Sequence, residues 1–173
     1  EAWRAALDLL RARRGDIQAM LDGGYDEVLF TGCGSTYYAA LAAAALFSAL
    51  TGRRARGLPG SELWLNPALH YPAGGRFLLV PISRSGATSE TIQACRAFRQ
   101  AGRGQILSLS CYPGAPLAEL GDLNLLLTSG QEESYAQTRA FTTLHLATLA
   151  LGCLAAGRFE RCSTRDADLD LAG

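Results

Sequence analysis

Lysine is absent from this sequence: all 16 basic residues are arginine. That excludes, within this chain, a Schiff-base lysine, a Walker-type phosphate lysine and a lysine general base. Neither sign of charge is in excess, since Lys+Arg and Asp+Glu both number 16 and the formal net charge is zero. A general nucleic-acid binder carries a basic surplus, so no nucleic-acid partner is expected. Paired cysteine spacings are missing too. The five cysteines, at positions 33, 95, 111, 153 and 162, form no CxxC and no Cys/His cluster. Neither a zinc site nor a disulfide framework is expected, and reduced thiols in the cytoplasm are. Long hydrophobic runs are lacking as well. The longest helix-like apolar stretch, Leu144 to Ala156, contains His145 and is shorter than the roughly 18–20 residues of a membrane span. No membrane partner is expected.

What is present is globular in composition. The chain has 173 residues, 49% of them hydrophobic and 18% charged, which suits one domain with a sizeable core. Residues 1–24 read as a helical segment that packs on this domain. Within it, Ala2 to Arg14 has helical periodicity, with Trp3, Ala6, Leu7 and Leu10 on one face. Gly15 interrupts that helix, and Asp16 is placed to cap a short continuation ending at Gly23-Gly24.

From residue 25 to 156 a pattern repeats: short apolar run, glycine- or hydroxyl-rich turn, helix. The runs are Glu27 to Thr31, Arg54 to Leu58, Arg76 to Ile82, Gln105 to Leu109 and Leu123 to Leu127, and a long helix from about Ala136 to Ala156 closes the series. Strands alternating with helices predict an α/β fold with a parallel sheet covered on both faces. FLLVPI and LNLLL are nearly all apolar, without period-2 alternation, as strands buried on both faces require. Ala39, Ala40 and Ala42 to Ala45 make the helix after the first run small enough to pack closely on a sheet. The polar stretch 157–173 reads as a linker or tail. Leu41, Phe47, Phe141, Leu146 and Leu149 put apolar residues around more of their helices than one sheet face can cover, which predicts association with a like domain.

In a parallel α/β sheet, ligands bind beyond the carboxyl ends of the strands. Three loops there carry chemistry. Ser83 to Thr91 (SRSGATSET) has five hydroxyls in nine residues, between a buried strand and a helix N-terminus with open N–H groups. Ser83, Ser85 and Thr88 supplement those groups around an anion, and Gly86 lets it approach the backbone. Gly32 to Tyr37 (GCGSTY) contains a GxG, but Tyr37 occupies the third glycine position of a dinucleotide fingerprint. No cofactor is expected; Gly34, Ser35 and Thr36 fit a polar small molecule better, and Arg53, Arg54 and Arg56 read as a solvated turn. Cys33, without a histidine beside it, reads as a small packing residue. The third loop, Gly130 to Thr142, places Glu132 and Glu133 before the long helix, consistent either with helix capping or with acid–base chemistry. His145 reads as structural. His70 sits in a loop from which it reaches a site only if the fold allows.

Taken in order, Gly32-Cys33-Gly34-Ser35-Thr36-Tyr37, Ser61-Glu62, Ser83-Arg84-Ser85-Gly86-Ala87-Thr88 and Glu132 through Ala136-Gln137-Thr138-Arg139-Ala140-Phe141-Thr142 resemble the sugar isomerase (SIS) domain family. The last stretch is most similar to its tagatose-6-phosphate ketose/aldose isomerase and amino-sugar-6-phosphate isomerase/deaminase group. The resemblance implies a flavodoxin-like three-layer sandwich around a five-stranded parallel sheet, and a sugar 6-phosphate as ligand. It implies that Ser83, Arg84, Ser85 and Thr88 hold the phosphate, and that Ser35, Thr36, Tyr135 and Gln137 line the sugar. Gln137 stands where the aminotransferase relatives have serine. The resemblance also implies that residues 157–173 lead to a second SIS domain, or that the chain pairs as a homodimer, and that key acid–base residues come from that second domain. Within this chain the candidate bases are Glu132, Glu62 and His70, with Glu132 leading. The expected activity is part of an aldose–ketose isomerase or amino-sugar-phosphate deaminase; the alternative is a sugar-phosphate sensor without catalysis.

Overall fold

The three central runs become strands buried on both faces because each face meets helices, while the two edge runs are partly exposed. In the computed structural model, which describes residues 1–134 and 136–160, the strands are β1 (Glu27–Gly32), β2 (Ala55–Pro59), β3 (Phe77–Ser83), β4 (Gly104–Ser110) and β5 (Leu123–Leu126). They pair in parallel as one five-stranded sheet in the order β2-β1-β3-β4-β5. The helices are α1 (Ala2–Ala12), α2 (Arg14–Leu21), α3 (Ser35–Thr51), α4 (Gly60–Leu65), α5 (Pro67–His70), α6 (Ser89–Ala101), α7 (Pro116–Leu120) and α8 (Thr138–Ala155).

Successive strand residues point to opposite faces. Val28, Phe30, Leu78, Val80, Ile82, Leu107 and Leu109 enter the core shared with α1, α2, α3 and α8. Leu29, Leu79 and Ile106 enter a second core with Leu63 of α4, Phe98 of α6 and Leu117 of α7. The result is the expected three-layer sandwich. Ala39, Ala40, Ala43 and Ala44 are the buried residues of the alanine run, while Ala42 and Ala45 face outward. Close approach here also needs glycine on the strand side: a Cβ at Gly57 of β2 would lie 2.6 Å from Leu41 Cα.

Several sequence expectations are corrected. The N-terminal helix breaks at Arg13, not Gly15; Gly15 lies inside α2, and Asp16 instead holds Arg13 by an ion pair of 2.8 Å. Trp3 is 56% exposed, its indole N–H donating to Thr142 at 3.3 Å, while Ala6 and Leu10 carry the buried face. Phe47 is core rather than a surface for association. Cys33, Cys95 and Cys111 are free, but Cys153 is disulfide-bonded; spacing did not signal it because a disulfide depends on Cβ proximity in the fold.

Of the arginines after α3, Arg54 is exposed as expected of a solvated turn, but Arg53 and Arg56 are not. Arg53 donates to Leu21 O at 2.8 Å and lies over the Phe47 ring. Arg56 clamps the buried carboxylate of Glu27 with two hydrogen bonds of 2.8 and 2.7 Å and gives a third, 2.8 Å, to His70 O. Glu27 is 6% exposed, so losing its partner strands a carboxylate in the core. We expect Arg56→Met to lower the unfolding free energy by about 1–3 kcal/mol, with Arg56→Met/Glu27→Leu recovering most of it because no buried charge remains. Urea denaturation of the two variants checks this; equal destabilisation by both contradicts it.

Candidate functional site

The strand order turns around between β1 and β3. From β1 the chain runs outward to the edge strand β2, then crosses back to β3 and on to β4 and β5. The loops that leave β1 and β3 therefore diverge, and a crevice opens between them at the carboxyl edge of the sheet. A cavity of about 260 Å³ occupies this place. Cys33, Gly34, Ser35 and Thr36 line it from the β1–α3 loop, and Ser83, Arg84, Ser85 and Thr88 from the β3–α6 loop. Gln137, at the start of α8, completes the wall.

The β3–α6 loop is wired by its own hydroxyls. Gly86 N–H donates to Ser83 Oγ at 3.2 Å, and the Ser83 and Thr88 hydroxyls lie 3.2 Å apart. Ala87 N–H donates to Ser85 Oγ at 3.2 Å. Ser83, 2% exposed, is the inner brace, while Ser85 and Thr88 are partly exposed toward the cavity. Thr88 is the N-cap of α6, and its own side chain makes no cap hydrogen bond. In the first turn the Glu90 carboxylate accepts the N–H of its own residue and, at 3.0 Å, the Ser89 hydroxyl, which hold its carboxyl below the usual range. Arg84 is the one charged side chain lining the cavity among the described residues.

Gly86 does not line the cavity; its role is to shape the loop. Its φ is +64°, and a Cβ there would lie 2.7 Å from the Ala115 Cβ. Its carbonyl accepts Leu117 N–H at 3.0 Å, so the loop is moored to the first turn of α7.

In the β1–α3 loop, Thr36 Oγ1 accepts Cys33 N–H and donates to Cys33 O, both at 3.0 Å. Thr36 thus stiffens the loop, and Ser35 is the exposed hydroxyl. A Cβ at Gly32 would lie 2.6 Å from the Thr36 backbone, which accounts for the first glycine of GCG without any dinucleotide. Cys33, which its place between two glycines at a strand end puts close to the expected ligand, lines the cavity. Burial first, and then the Glu90 carboxylate, to which the thiol hydrogen-bonds, push the Cys33 thiol above its ordinary range. It stays protonated at neutral pH and is no ready nucleophile.

The candidate bases stand away from the cavity wall. Glu62, on α4, accepts from the Asn66 amide at 3.2 Å and lies 3.5 Å from His70 Nε2. Both oxygens of Glu132 accept backbone N–H groups of α8, from Arg139 at 3.2 Å and Ala140 at 2.8 Å. His145 stacks on Phe141 with ring centroids 6.2 Å apart. The Tyr135 reading lies outside the described residues. Among the described residues no group of three or more His, Cys, Asp or Glu is arranged to hold a metal ion, and no helix is long and apolar enough to cross a membrane.

A family model described as "SIS domain" matches residues 25–154. The glutamine–fructose-6-phosphate aminotransferase (isomerizing) of Helicobacter pylori strain J99 is 33% identical over 117 residues, covering 68% of this chain and 19% of that protein. Among solved structures, tagatose-6-phosphate ketose/aldose isomerase from Escherichia coli superposes with a TM-score of 0.81 at 22% identity, covering 98% of this chain and 50% of that one. Glucosamine-6-phosphate deaminase from Thermotoga maritima superposes with a TM-score of 0.70 at 25% identity, covering 92% and 51%. The chain thus spans about a fifth of the aminotransferase and about half of the two solved proteins.

Proposed function

This chain belongs to the SIS domain family, and on that premise we propose that its cavity binds a sugar 6-phosphate as part of an aldose–ketose isomerase or amino-sugar-phosphate deaminase. The observation that carries this is the meeting of two hydroxyl-rich strand-to-helix loops and Gln137 around one cavity at the sheet's switch point. The phosphate takes the β3–α6 side, where Ser85 and Thr88 supply hydroxyl donors and Arg84 supplies positive charge. The sugar extends toward Ser35, Thr36 and Gln137. Each of Ser85→Ala and Thr88→Ala is expected to weaken sugar-phosphate binding by about 1.5–3 kcal/mol, the worth of a charge-assisted hydrogen bond. Isothermal calorimetry tests this, and unchanged affinity in both variants sinks the assignment.

The sensor reading has one observation in its favour: no carboxylate and no imidazole lines the cavity among the described residues. A second SIS domain in the same protein favours the enzyme, and an attached DNA-binding segment favours the sensor. We extend the proposal to pairing with a like domain, either a tandem partner or a second copy. An apolar groove of about 1220 Å³ between α1, α3 and α8, lined in part by Leu7, Leu46, Leu50, Leu146 and Leu149, supports it. Sedimentation at high micromolar concentration is expected to give a dimer if no tandem partner is present; a strict monomer contradicts self-pairing.

A further inference from the structure

Helix α8 begins in an uncommon way. Its N-cap, Gln137, has left-handed backbone angles of φ 50° and ψ 28°. It is the one non-glycine residue with positive φ among the described residues. That conformation is disfavoured because Cβ crowds the following carbonyl. An ordinary N-cap residue has an extended backbone and turns its side chain back onto the first-turn N–H groups. Gln137 does neither. Its side chain makes no cap bond, and the residue lines the cavity instead.

The capping is done by another residue. Glu132 Oε1 accepts Ala140 N–H at 2.8 Å and Glu132 Oε2 accepts Arg139 N–H at 3.2 Å. The segment bearing Glu132 is itself held. Tyr112 Oη donates to Glu132 O at 3.0 Å, Gln131 Nε2 to Cys111 O at 2.8 Å, and Arg139 Nη1 to Gln131 O at 3.3 Å. These contacts tie the start of α8 to the end of β4, so the left-handed turn at Gln137 is over-determined by its surroundings. Strain that persists this way, on a residue facing a ligand cavity, points to a functional constraint.

We infer that Glu132 is a positioning residue: by capping α8 it frees the Gln137 side chain from the N-cap role and holds the left-handed turn that places the Gln137 amide at the cavity, where the amide selects the sugar end of the ligand. This rests on the phosphosugar reading above and assigns the sugar-reading step within it. A carboxamide presents an acceptor and two donors side by side without net charge. It therefore matches a carbon chain bearing adjacent hydroxyl, carbonyl or amino groups, as keto- and amino-sugar 6-phosphates do. It carries no positive charge to favour inorganic phosphate. Gln137 thus sets the preference for a sugar phosphate over phosphate itself.

The test measures, for the whole 173-residue chain, the affinities for fructose 6-phosphate, glucosamine 6-phosphate and inorganic phosphate, and reads the ratio of sugar phosphate to phosphate. Gln137→Ala is expected to lower that ratio about 5- to 10-fold, the effect of a lost neutral hydrogen bond. Glu132→Ala is expected to lower it similarly, and the double variant no further, because the two residues act as a unit. Glu132→Gln keeps one acceptor for the cap and is expected to stay near the wild-type ratio. Gln137→Gly is expected to raise the melting temperature while lowering the ratio, since glycine relieves the left-handed backbone. In Glu132→Ala, the three-bond amide–Hα coupling of residue 137 is expected to leave its wild-type value. An unchanged ratio in Glu132→Ala, equal losses in Glu132→Ala and Glu132→Gln, or additive losses in the double variant would overturn the inference. Failure of the wild-type chain to bind inorganic phosphate would overturn the phosphosugar reading, and this inference with it.

Discussion

Assayed alone on aldose and ketose 6-phosphates, the chain is expected to turn over about 10²- to 10⁴-fold more slowly than an isomerase with its acid–base groups in place, the usual worth of a missing general acid or base. Interconverting an aldose and a ketose moves a proton between C1 and C2 of an open-chain sugar. The base must lie within hydrogen-bond reach of that proton, directly or through one water. The wall of the cavity holds hydroxyls, one arginine, one thiol and one amide among the described residues. The thiol is held protonated by burial and by Glu90. Glu62 faces His70, and Glu132 has both oxygens on backbone N–H groups. No lysine exists to replace them. Holding a phosphate lowers a chemical barrier only to the extent that the transition state is held more tightly than the ground state. On the isomerase reading proposed above, the base has to come to the open side of the cavity from a partner domain or a second copy. Robust turnover by the isolated chain, abolished by Glu132→Gln with binding intact, contradicts this and makes Glu132 the base.

Gly86→Ala is expected to cost about 2–5 kcal/mol, the combined effect of a left-handed alanine and an overpacked contact. The added methyl stands 2.7 Å from Ala115 Cβ, and the φ of +64° disfavours any L side chain. Relief requires the loop to lift from α7, which breaks the Gly86 carbonyl's bond to Leu117 N–H and moves Ser85 and Thr88 with it. Stability and phosphate affinity are thus expected to fall together. Gly114→Ala is the control: its φ is +69°, but nothing stands within 4 Å of the added Cβ. It meets the backbone penalty alone, about 1–2 kcal/mol. Equal destabilisation of the two variants by guanidinium titration shows that the Ala115 contact carries no energy.

The sheet was readable because a strand buried on both faces must be nearly all apolar, as FLLVPI is and as LNLLL is apart from Asn124. The two strand-to-helix loops were readable for a related reason: hydroxyls and glycines crowded between such a run and a helix have few structural uses. Other features depend on residues distant in sequence. The Arg56–Glu27 clamp joins the edge strand β2 to the start of β1, and nothing local in the sequence distinguishes Arg56 from the exposed Arg54. Gly86 looks like a cavity residue until Ala115 is placed against it. Glu132 is acidic in a motif loop, which suits a cap and a base equally; only the positions of Arg139 N–H and Ala140 N–H separate the two. The left-handed turn at Gln137 has no sequence signal, because glutamine is not a residue that favours it.

An amide chemical-shift titration of the whole chain with fructose 6-phosphate tests the central claim most directly, since it reports both binding and its place. The expected result is a saturable change confined to residues 33–36, 83–89 and 137–140, with inorganic phosphate competing for the 83–89 set and leaving residues 35 and 137 nearly unmoved. Saturable changes centred instead on the apolar groove between α1, α3 and α8, or no saturable change at millimolar ligand, contradict a phosphosugar site at the switch point of this sheet.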